Sequence, residues 1–407
     1  MTKKRITRKT KSKPKARSSS KGRALEKPFE TALYFGFNPI KTPSVTKEDL
    51  SQLRAVKDPY YDPKRIQTES PFTFDVLEKI SLLKNLENGN IENKYWPILI
   101  SYKKPIVDTY TKKPTDFTMG LEIFGVSGST AEAILIRTTL SILAEEGYEN
   151  LTIAINSLGD KESVAEFGRV VNGFVRKHMN GFPADIRKMA KHDIFDILRN
   201  KDEKNATVQE QAPKSMSFLS EESRIHFKEV LEYIESFDVP YDITPNLIGS
   251  PAFCSHTIFE IRTNVESGGE LLAQGYWYSR LSKKIGMKRE VSAIGVTISF
   301  KKKNLRASTK GIPKPKFYLI QLGFGAKIAT LAVIENLRKA KISVTHSLAK
   351  DKLGSQMLSA ENMNTQHVLI IGQKEALEGS VMVRNVSTRA QESILIKNIA
   401  IHLKKLR

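Results

Sequence analysis

The segment Phe117–Asp160 decides the fold of this chain: FTMGLEIFGVSGSTAEAILIRTTLSILAEEGYENLTIAINSLGD. Its apolar run Leu121–Phe124, bounded by glycines, predicts a buried strand. Ser129, with Glu132 three residues later, predicts a helix start, because hydroxyl and carboxylate can each satisfy a free backbone N–H there. Apolar residues then recur at helical spacing, and the run Leu151–Ile155 predicts a second strand. The segment therefore indicates a strand–helix–strand unit in the core of a mixed protein.

Length and composition restrict the class of protein. A chain of 407 residues should hold two or three domains with a sizeable core. No apolar run reaches the roughly 18 residues of a membrane-spanning helix, and the basic N-terminus lacks the apolar region of a secretory signal. The single cysteine, Cys254, excludes an intramolecular disulfide, and no Cys/His cluster has zinc-site spacing. We therefore expect a cytoplasmic protein with no membrane contact and no metal site.

The N-terminal tail, residues 1–28, is strongly basic. The chain carries a formal net charge of +21, and residues 1–25 contain eleven Lys and Arg with no acidic residue. Such a segment cannot bury enough apolar surface to fold, so we expect a disordered tail that contacts nucleic-acid phosphates without sequence preference. The alternative is a solubilising tail with no specific partner. The cations that we expect to contact RNA are Lys3, Lys4, Arg5, Arg8, Lys9, Lys11, Lys13, Lys15 and Arg17.

The identities of the residues point to a family. GLEIFG, then a capped helix, then INSLGD at this distance closely resembles the segment after motif 2 in the class II histidine–tRNA ligases (histidyl-tRNA synthetases). In that family the strand carries a Gly-Val-Glu-Val type run, and the later strand ends in Asn-Ser-Leu-Gly. Residues 187–201 and 212–247 are similar to the family's helical insertion and the strand that returns from it. The resemblance covers roughly residues 29–407.

This resemblance implies an α+β protein. Its core would be a class II synthetase-like antiparallel sheet with a helical insertion, and a C-terminal α/β anticodon-binding-like domain would follow. A function sits in particular residues rather than in a fold, so the resemblance alone does not establish an activity. We expect a basic tail at 1–28, the core at 29–300 with its insertion at about 160–246, a linker at 301–316 and the C-terminal domain at 317–407.

The C-terminal region predicts its own small sheet. Alternating strand and helix patterns at this spacing imply a mainly parallel sheet covered by helices. Without the resemblance, this would be a generic nucleotide- or protein-binding domain. We expect strands at 317–322, 342–344, 367–371 and 379–386, and a closing helix at 394–406.

In an active ligase, ATP and histidine meet on the sheet, and catalysis depends on positioning and on cations that stabilise charge on the α-phosphate. Arginine suits this role because its rigid fork binds phosphate with two hydrogen bonds. The family's three arginine positions are changed here. Motif 2, Phe-Arg-Tyr-Glu-Arg-Pro, matches ISYKKP and places Ser101 at its arginine. The histidine-specific motif places Gly249 at the catalytic arginine, and motif 3 places Lys302 at the adenine-stacking one.

The glycine-rich turn of the family is also changed. Gln274 and Tyr276 stand where two of its glycines would let backbone approach the ligand closely. We expect Phe253, Tyr276, Trp277 and Tyr278 to fill the former pocket. Each hydrogen bond to a charged group contributes roughly 1.5–3 kcal/mol. Three lost contacts therefore correspond to roughly three to six powers of ten in rate, and we expect histidine activation to be lost.

Two carboxylates match the substrate pocket of the family. Glu122 falls on the carboxylate that holds the substrate amino group, and Glu69 is a weaker match to a second pocket carboxylate. The alternative for Glu122 is a solvated residue of a strand.

The leading interpretation is a histidine–tRNA-ligase-like protein that has lost aminoacylation, binds tRNA or another structured RNA, and needs no cofactor. Residues 29–42 are similar to motif 1 at the family's dimer interface, so we expect a homodimer. One alternative is a divergent active ligase that uses ATP and Mg²⁺ with Lys103, Lys104 and Lys302 in place of arginine. Another is a regulatory subunit of a different enzyme, against which an anticodon-binding domain argues.

Overall fold

The structure is a computed structural model. It describes residues 26–56, 75–91, 96–107, 114–192, 194–199, 206–263, 269–301, 315–348, 350 and 352–406. The predicted RNA-contacting cations of the tail, Glu69, Lys302 and nearly all of the predicted linker lie outside the described residues. Within those ranges, no helix is long and apolar enough to cross a membrane.

Helices and strands alternate irregularly along the described chain. The α-helices are α1 Lys27–Tyr34, α2 Lys47–Val56, α3 Asp75–Glu87, α4 Thr130–Glu145, α5 Lys161–His178, α6 Ala184–His192, α7 Asp196–Arg199, α8 Ala206–Gln211, α9 Glu221–Glu235, α10 Ser279–Lys284, α11 Phe324–Lys339, α12 Leu353–Asn362, α13 Gln373–Glu378 and α14 Ile396–Lys405. The strands are β1 Asn38–Pro39, β2 Ile98–Val107, β3 Pro114–Phe124, β4 Leu151–Ser157, β5 Tyr241–Ile243, β6 Ser255–Thr263, β7 Leu271–Trp277, β8 Ala293–Lys301, β9 Phe317–Gln321, β10 Val344–His346, β11 His367–Ile371, β12 Ser380–Asn385 and β13 Gln391–Leu395.

The first sheet has eight strands in the order β1-β2-β3-β8-β7-β6-β4-β5. Every pairing from β2 to β4 is antiparallel, and only the outer strands β1 and β5 pair in parallel with their neighbours. This confirms the predicted α+β class with an antiparallel core sheet. Three strands separate β3 from β4, so the connecting helix must cross about 19 Å at the usual strand spacing. Helix α4 has 16 residues, about 24 Å of helix, which is long enough.

The start of helix α4 differs from the sequence prediction. Ser129 has helical backbone angles and makes no side-chain cap; its hydroxyl instead donates to Glu229 Oε2 at 2.5 Å. Glu132 accepts a hydrogen bond from Trp277 Nε1 at 2.6 Å and does not reach back to the helix start. The predicted reciprocal cap is wrong because α9 and β7 pack against this end of α4 and supply other partners. Helix α9 does have a side-chain cap, since Ser220 accepts from the backbone N–H of Ser223.

The second sheet has the order β10-β9-β11-β12-β13. Strands β10, β9 and β11 are parallel, whereas β12 and β13 join in antiparallel orientation. The prediction of a mainly parallel sheet is therefore wrong for β12 and β13. Parallel neighbours need a crossover of about a dozen residues or more, and the short helix α13 between β11 and β12 leaves too little chain for one. The strand β13 was missed because its residues were assigned in part to the closing helix.

Helix α11 joins the two sheets. It packs against α1 and α4, and buried apolar residues of both sheets form one continuous cluster there. Glu335, on α11, accepts from Ser141 of α4 at 3.0 Å and is paired with Arg338 at 2.7 Å. Arg338 also donates to Glu145 at 2.9 Å, and Lys27 binds the same carboxylate. Burial alone would raise the pKa of Glu335, but the hydrogen bonds and charge of Arg338 lower it, so the network stays ionised.

His346 makes the stability of the contact between the two sheets depend on pH. It lies on β10 against the turn after α1, where a Cβ atom on Gly36 would be 3.5 Å from its ring. Burial lowers the pKa of His346 to about 4, against a smaller opposing effect of the Phe35 backbone. The neutral ring is favoured in the folded state, so its stabilisation is complete above the unfolded pKa of 6.5 and is lost as the pH falls toward 4.

We therefore expect the wild-type protein to lose up to about 3 kcal/mol relative to the His346→Gln variant between these two pH values. Urea unfolding of both proteins at matched pH values measures the difference. A difference that stays constant over this range would contradict the assignment, because glutamine does not titrate.

Candidate functional site

Glu122 lies in the middle of the first sheet, and it is fully buried. The alternative of a solvated carboxylate is therefore wrong. Its space is created by glycine: a Cβ atom on Gly295, the residue paired with it on β8, would lie 1.7 Å from Glu122 Oε2. A Cβ atom on Gly120 would lie 2.2 Å from the ring of Tyr102. These two glycines leave room above the sheet for one carboxylate and one phenol.

The cation that binds Glu122 is Lys79 of helix α3. Its Nζ lies 3.3 Å from Glu122 Oε1 and 2.9 Å from Asp75 Oδ2, and the lysine side chain has no exposed surface. The rings of Tyr276 and Tyr278 complete the surroundings, with centroids 4.9 and 5.1 Å from Nζ. Two carboxylates and two aromatic faces around a primary ammonium make what we call the ammonium cage.

Hydroxyl groups satisfy the remaining carboxylate oxygens of the cage. Tyr102 and Tyr278 donate to Glu122 at 3.0 and 2.8 Å. Tyr276 and Thr297 donate to Asp75 at 2.5 and 3.1 Å. Because both acids keep hydrogen-bond donors as well as a cation, the cage is a satisfied buried network rather than an isolated buried charge.

The cage holds Lys79 in its charged form. Burial alone would lower the pKa of Lys79, but attraction to Asp75 and Glu122 and the hydrogen bonds to both raise it above the ordinary lysine value. Burial raises the pKa of Glu122, and the charge of Lys79 and the hydrogen bond from Tyr278 oppose that effect. Burial also raises the pKa of Tyr102, Tyr276 and Tyr278 well above the ordinary tyrosine value, so all three remain hydrogen-bond donors.

Two of the three positions at which the family has arginine, Ser101 and Gly249, lie in the described part of the chain. They do not share one side of the sheet. Ser101 is buried and pairs with Leu121, next to the pair Ile100–Glu122. Since side chains alternate along a strand, Ser101 points to the face opposite Glu122. Gly249 lies on the side of Glu122, but a Cβ atom there would be 2.7 Å from Cys254 Sγ. A side chain as large as arginine has no room at that position.

Of the four aromatic residues predicted to fill the pocket, three lie on the side of Glu122 and one does not. Phe253, Tyr276, Trp277 and Tyr278 are all buried. Phe253 is 6.1 Å from the ring of Tyr276, on the side of the ammonium cage. Trp277 points through the other face of the sheet, where it binds Glu132, because it alternates with its two neighbours on the strand.

Two of the three lysines of the active-ligase alternative, Lys103 and Lys104, lie in the described part of the chain, and both have partners. Lys103 binds Glu26 at 2.7 Å and lies over the ring of Phe117, on the face opposite Glu122. Lys104 forms an ion pair with Glu78 of helix α3.

Sequence reasoning missed Asp75 and Lys79, the centre of the cage. Their only signal is local: an acid and a lysine four residues apart, on a helix whose other residues are mostly apolar. Such a pair is more often a solvated surface pair. The link between Lys79 and Glu122, 43 positions away, has no signature in one sequence.

Comparisons with known proteins agree with the sequence motifs. A profile of the family described as anticodon binding domain matches residues 316–406. The histidine–tRNA ligase of Bacillus licheniformis is 26% identical over 306 residues, which cover 73% of this chain and 70% of that protein. The one from Halothermothrix orenii is 27% identical over 293 residues, with coverage of 71% and 70%.

Solved structures of the same kind align along most of the chain. The apo histidyl-tRNA synthetase of S. aureus is 19% identical, with a TM-score of 0.49 and coverage of 92% of this chain and 93% of its own. A protein from Bacillus halodurans described as an ATP phosphoribosyltransferase regulatory subunit/histidyl-tRNA synthetase is 14% identical, with a TM-score of 0.45 and coverage of 85% and 92%.

Replacing Lys79 by methionine should destabilise the protein by about 3–5 kcal/mol near neutral pH, because two buried carboxylates then share no cation. One of them should take up a proton in the folded state, so the penalty should shrink as the pH falls toward the ordinary carboxyl pKa. The matched control is Lys84→Met on the same helix, whose partly exposed lysine binds the exposed Glu48 and the buried Asp49 and should contribute less than Lys79. Urea titrations at two pH values measure both effects, and equal penalties for the two variants would contradict the cage.

Proposed function

We propose that this chain, a divergent relative of the histidine–tRNA ligases, binds tRNA or another structured RNA and does not activate histidine. The observation that supports the absence of histidine activation is the ammonium cage. The family resemblance assigns the position of Glu122 to the carboxylate that holds the substrate amino group. Here that carboxylate is bound by the ammonium of Lys79 from the same chain.

An incoming amino acid would compete with Lys79 for the same chemistry. The α-ammonium of histidine and the side chain of lysine are both primary ammonium groups, and two such cations cannot share one buried site without repulsion. Breaking a buried ion pair costs about 3–5 kcal/mol, which lowers affinity by roughly two to four powers of ten. The side chains of Tyr102 and Tyr278 also occupy the immediate surroundings of Glu122.

The RNA-binding half rests on the C-terminal region and on charge. Residues 316–406 match an anticodon binding domain, and folded domains read RNA sequence mainly from unstacked bases of loops. The net charge of +21 favours a polyanionic partner. In this proposal the protein acts as a homodimer through the motif 1-like segment 29–42 and needs no cofactor; ATP and Mg²⁺ enter only if the ligase alternative holds.

The purified protein should show no histidine-dependent ATP–pyrophosphate exchange above background. This assay does not require the cognate tRNA, so a negative result concerns the histidine and ATP sites alone. The histidine–tRNA ligase of Bacillus subtilis, which is 26% identical over 314 residues, provides the positive control. Exchange that is present in the wild-type protein and lost in Glu122→Gln would establish the ligase alternative instead.

RNA binding should separate into two contributions. Residues 1–25 should add affinity that is insensitive to sequence and falls steeply with salt, because each neutralised phosphate releases counterions. A protein lacking them should bind all nucleic acids more weakly, with a flatter salt dependence, and should keep the preference of the full chain for tRNA over duplex DNA. Anisotropy titrations of both proteins at several salt concentrations measure this. If the tail-less protein binds tRNA and duplex DNA equally, the C-terminal region does not read RNA.

A further inference from the structure

A cavity of about 320 Å³ lies outside the ammonium cage, in the helical part of the chain. It is formed where the end of helix α5 and the short turn Met179–Gly181 face helix α8. Its volume is at the lower limit for small-molecule pockets and suits one nucleobase with its sugar rather than a whole nucleoside triphosphate. Nothing in the proposed function uses this cavity.

Three aromatic rings line the cavity. The ring of His178 is 4.5 Å from Phe174 and 6.4 Å from Phe182, and the last two rings lie 6.5 Å apart. The planes of His178 and Phe182 are within 21° of parallel. Phe182 is almost fully buried, so one wall is rigid, whereas Phe174 and His178 are only partly covered. A flat ring that enters the cavity therefore meets aromatic surface.

Polar groups with unused hydrogen-bonding capacity complete the cavity. The Nδ1 atom of His178 lies 2.9 Å from the carbonyl oxygen of Phe174, which can only accept. Nδ1 therefore carries the hydrogen, and Nε2 of the neutral ring is left as an acceptor. The amide of Gln211 offers both a donor and an acceptor, and Thr207 offers a hydroxyl. This combination recognises the edge of a heterocyclic base.

The charge around the cavity selects among ligands that carry a flat ring. The last turn of α5 is basic, with Arg176 and Lys177, and Lys177 lines the cavity. Within the described part of the chain, Lys177 has no ion-pair partner. Helix α6 begins just after Phe182 and carries two further exposed cations, Arg187 and Lys188, which do not line the cavity. These cations favour a ligand with phosphates beside its base over an aromatic side chain of a protein.

We propose that this cavity binds one unstacked base of a single-stranded RNA segment, with Lys177 holding a neighbouring phosphate. The inference rests on the proposed RNA binding and adds a third contact to the tail and the C-terminal region. Stacking acts here without a fixed RNA sequence, since every base has a flat face. The hydrogen bonds to the base edge add a preference among bases.

The test is a titration of full-length protein with fluorescein-labelled tRNA and with a single-stranded RNA oligonucleotide at pH 8. His178→Ala should weaken binding about 5- to 100-fold, the range of one lost base stack, without changing the salt dependence. His178→Phe keeps a ring and should bind within a few-fold of the wild-type protein. Gln211→Ala removes an exposed side chain, so it keeps the test valid if His178→Ala does not fold, and it should weaken binding a few-fold.

The matched charge control uses both ends of helix α5. Lys177→Ala should weaken binding and reduce the slope of log affinity against log salt by about 0.7, the value for one phosphate of a single strand. Lys161→Ala, an exposed lysine at the other end of the helix, should do neither. If the wild-type protein binds no RNA, the proposed function is wrong. If it binds RNA and the His178, Gln211 and Lys177 variants behave like Lys161→Ala, only the cavity assignment is wrong.

Discussion

The ammonium cage depends on the buried ion pairs of Lys79 with Asp75 and Glu122. It ties helix α3 to the central strand β3 through Glu122, and Asp75 of the same helix ties it to β7 and β8 through Tyr276 and Thr297. A buried charge is tolerated only when its partners and hydrogen bonds are complete. Glycine at positions 120 and 295 supplies the space, and the tyrosines supply the donors. The cost of burying charge therefore constrains residues on helix α3 and on strands β2, β3, β7 and β8 to one arrangement.

The antiparallel sheet carries the carboxylate of Glu122, and a lysine of the same chain binds that carboxylate. The antiparallel strands are present, and so is Glu122, at the position that the family resemblance assigns to the carboxylate that binds the substrate amino group. Its cation now comes from the protein, and no arginine stands at the two described positions that the family resemblance assigns to phosphate and substrate. In the proposed function, one ammonium group of the protein takes the place of the ligand's ammonium group, and the sheet is kept.

The second sheet is held to the first by a different kind of contact. Helix α11 lies against α4 and α1 with continuous apolar packing, and the carboxylates Glu145 and Glu335 are joined there by Arg338. Helix α4 is the element common to both halves: it crosses under the first sheet and receives α11 on its outer side. The region that matches an anticodon binding domain therefore packs directly against the core.

The sequence alone determined the α+β class, the strands and helix of residues 117–160, most strands of the second sheet and the relation to the histidine–tRNA ligases. These follow from local periodicity and from residue identities within short segments, which one sequence records. Only the tertiary structure decided that Ser129 and Glu132 bind other elements, that Ser101 and Trp277 face away from Glu122, and that Lys79 binds Glu122. The face that a strand residue points to depends on register with a neighbour, and the partner of a buried charge depends on which distant elements pack together. The spacing of residues along the chain determines neither the face of a strand residue nor the partner of a buried charge.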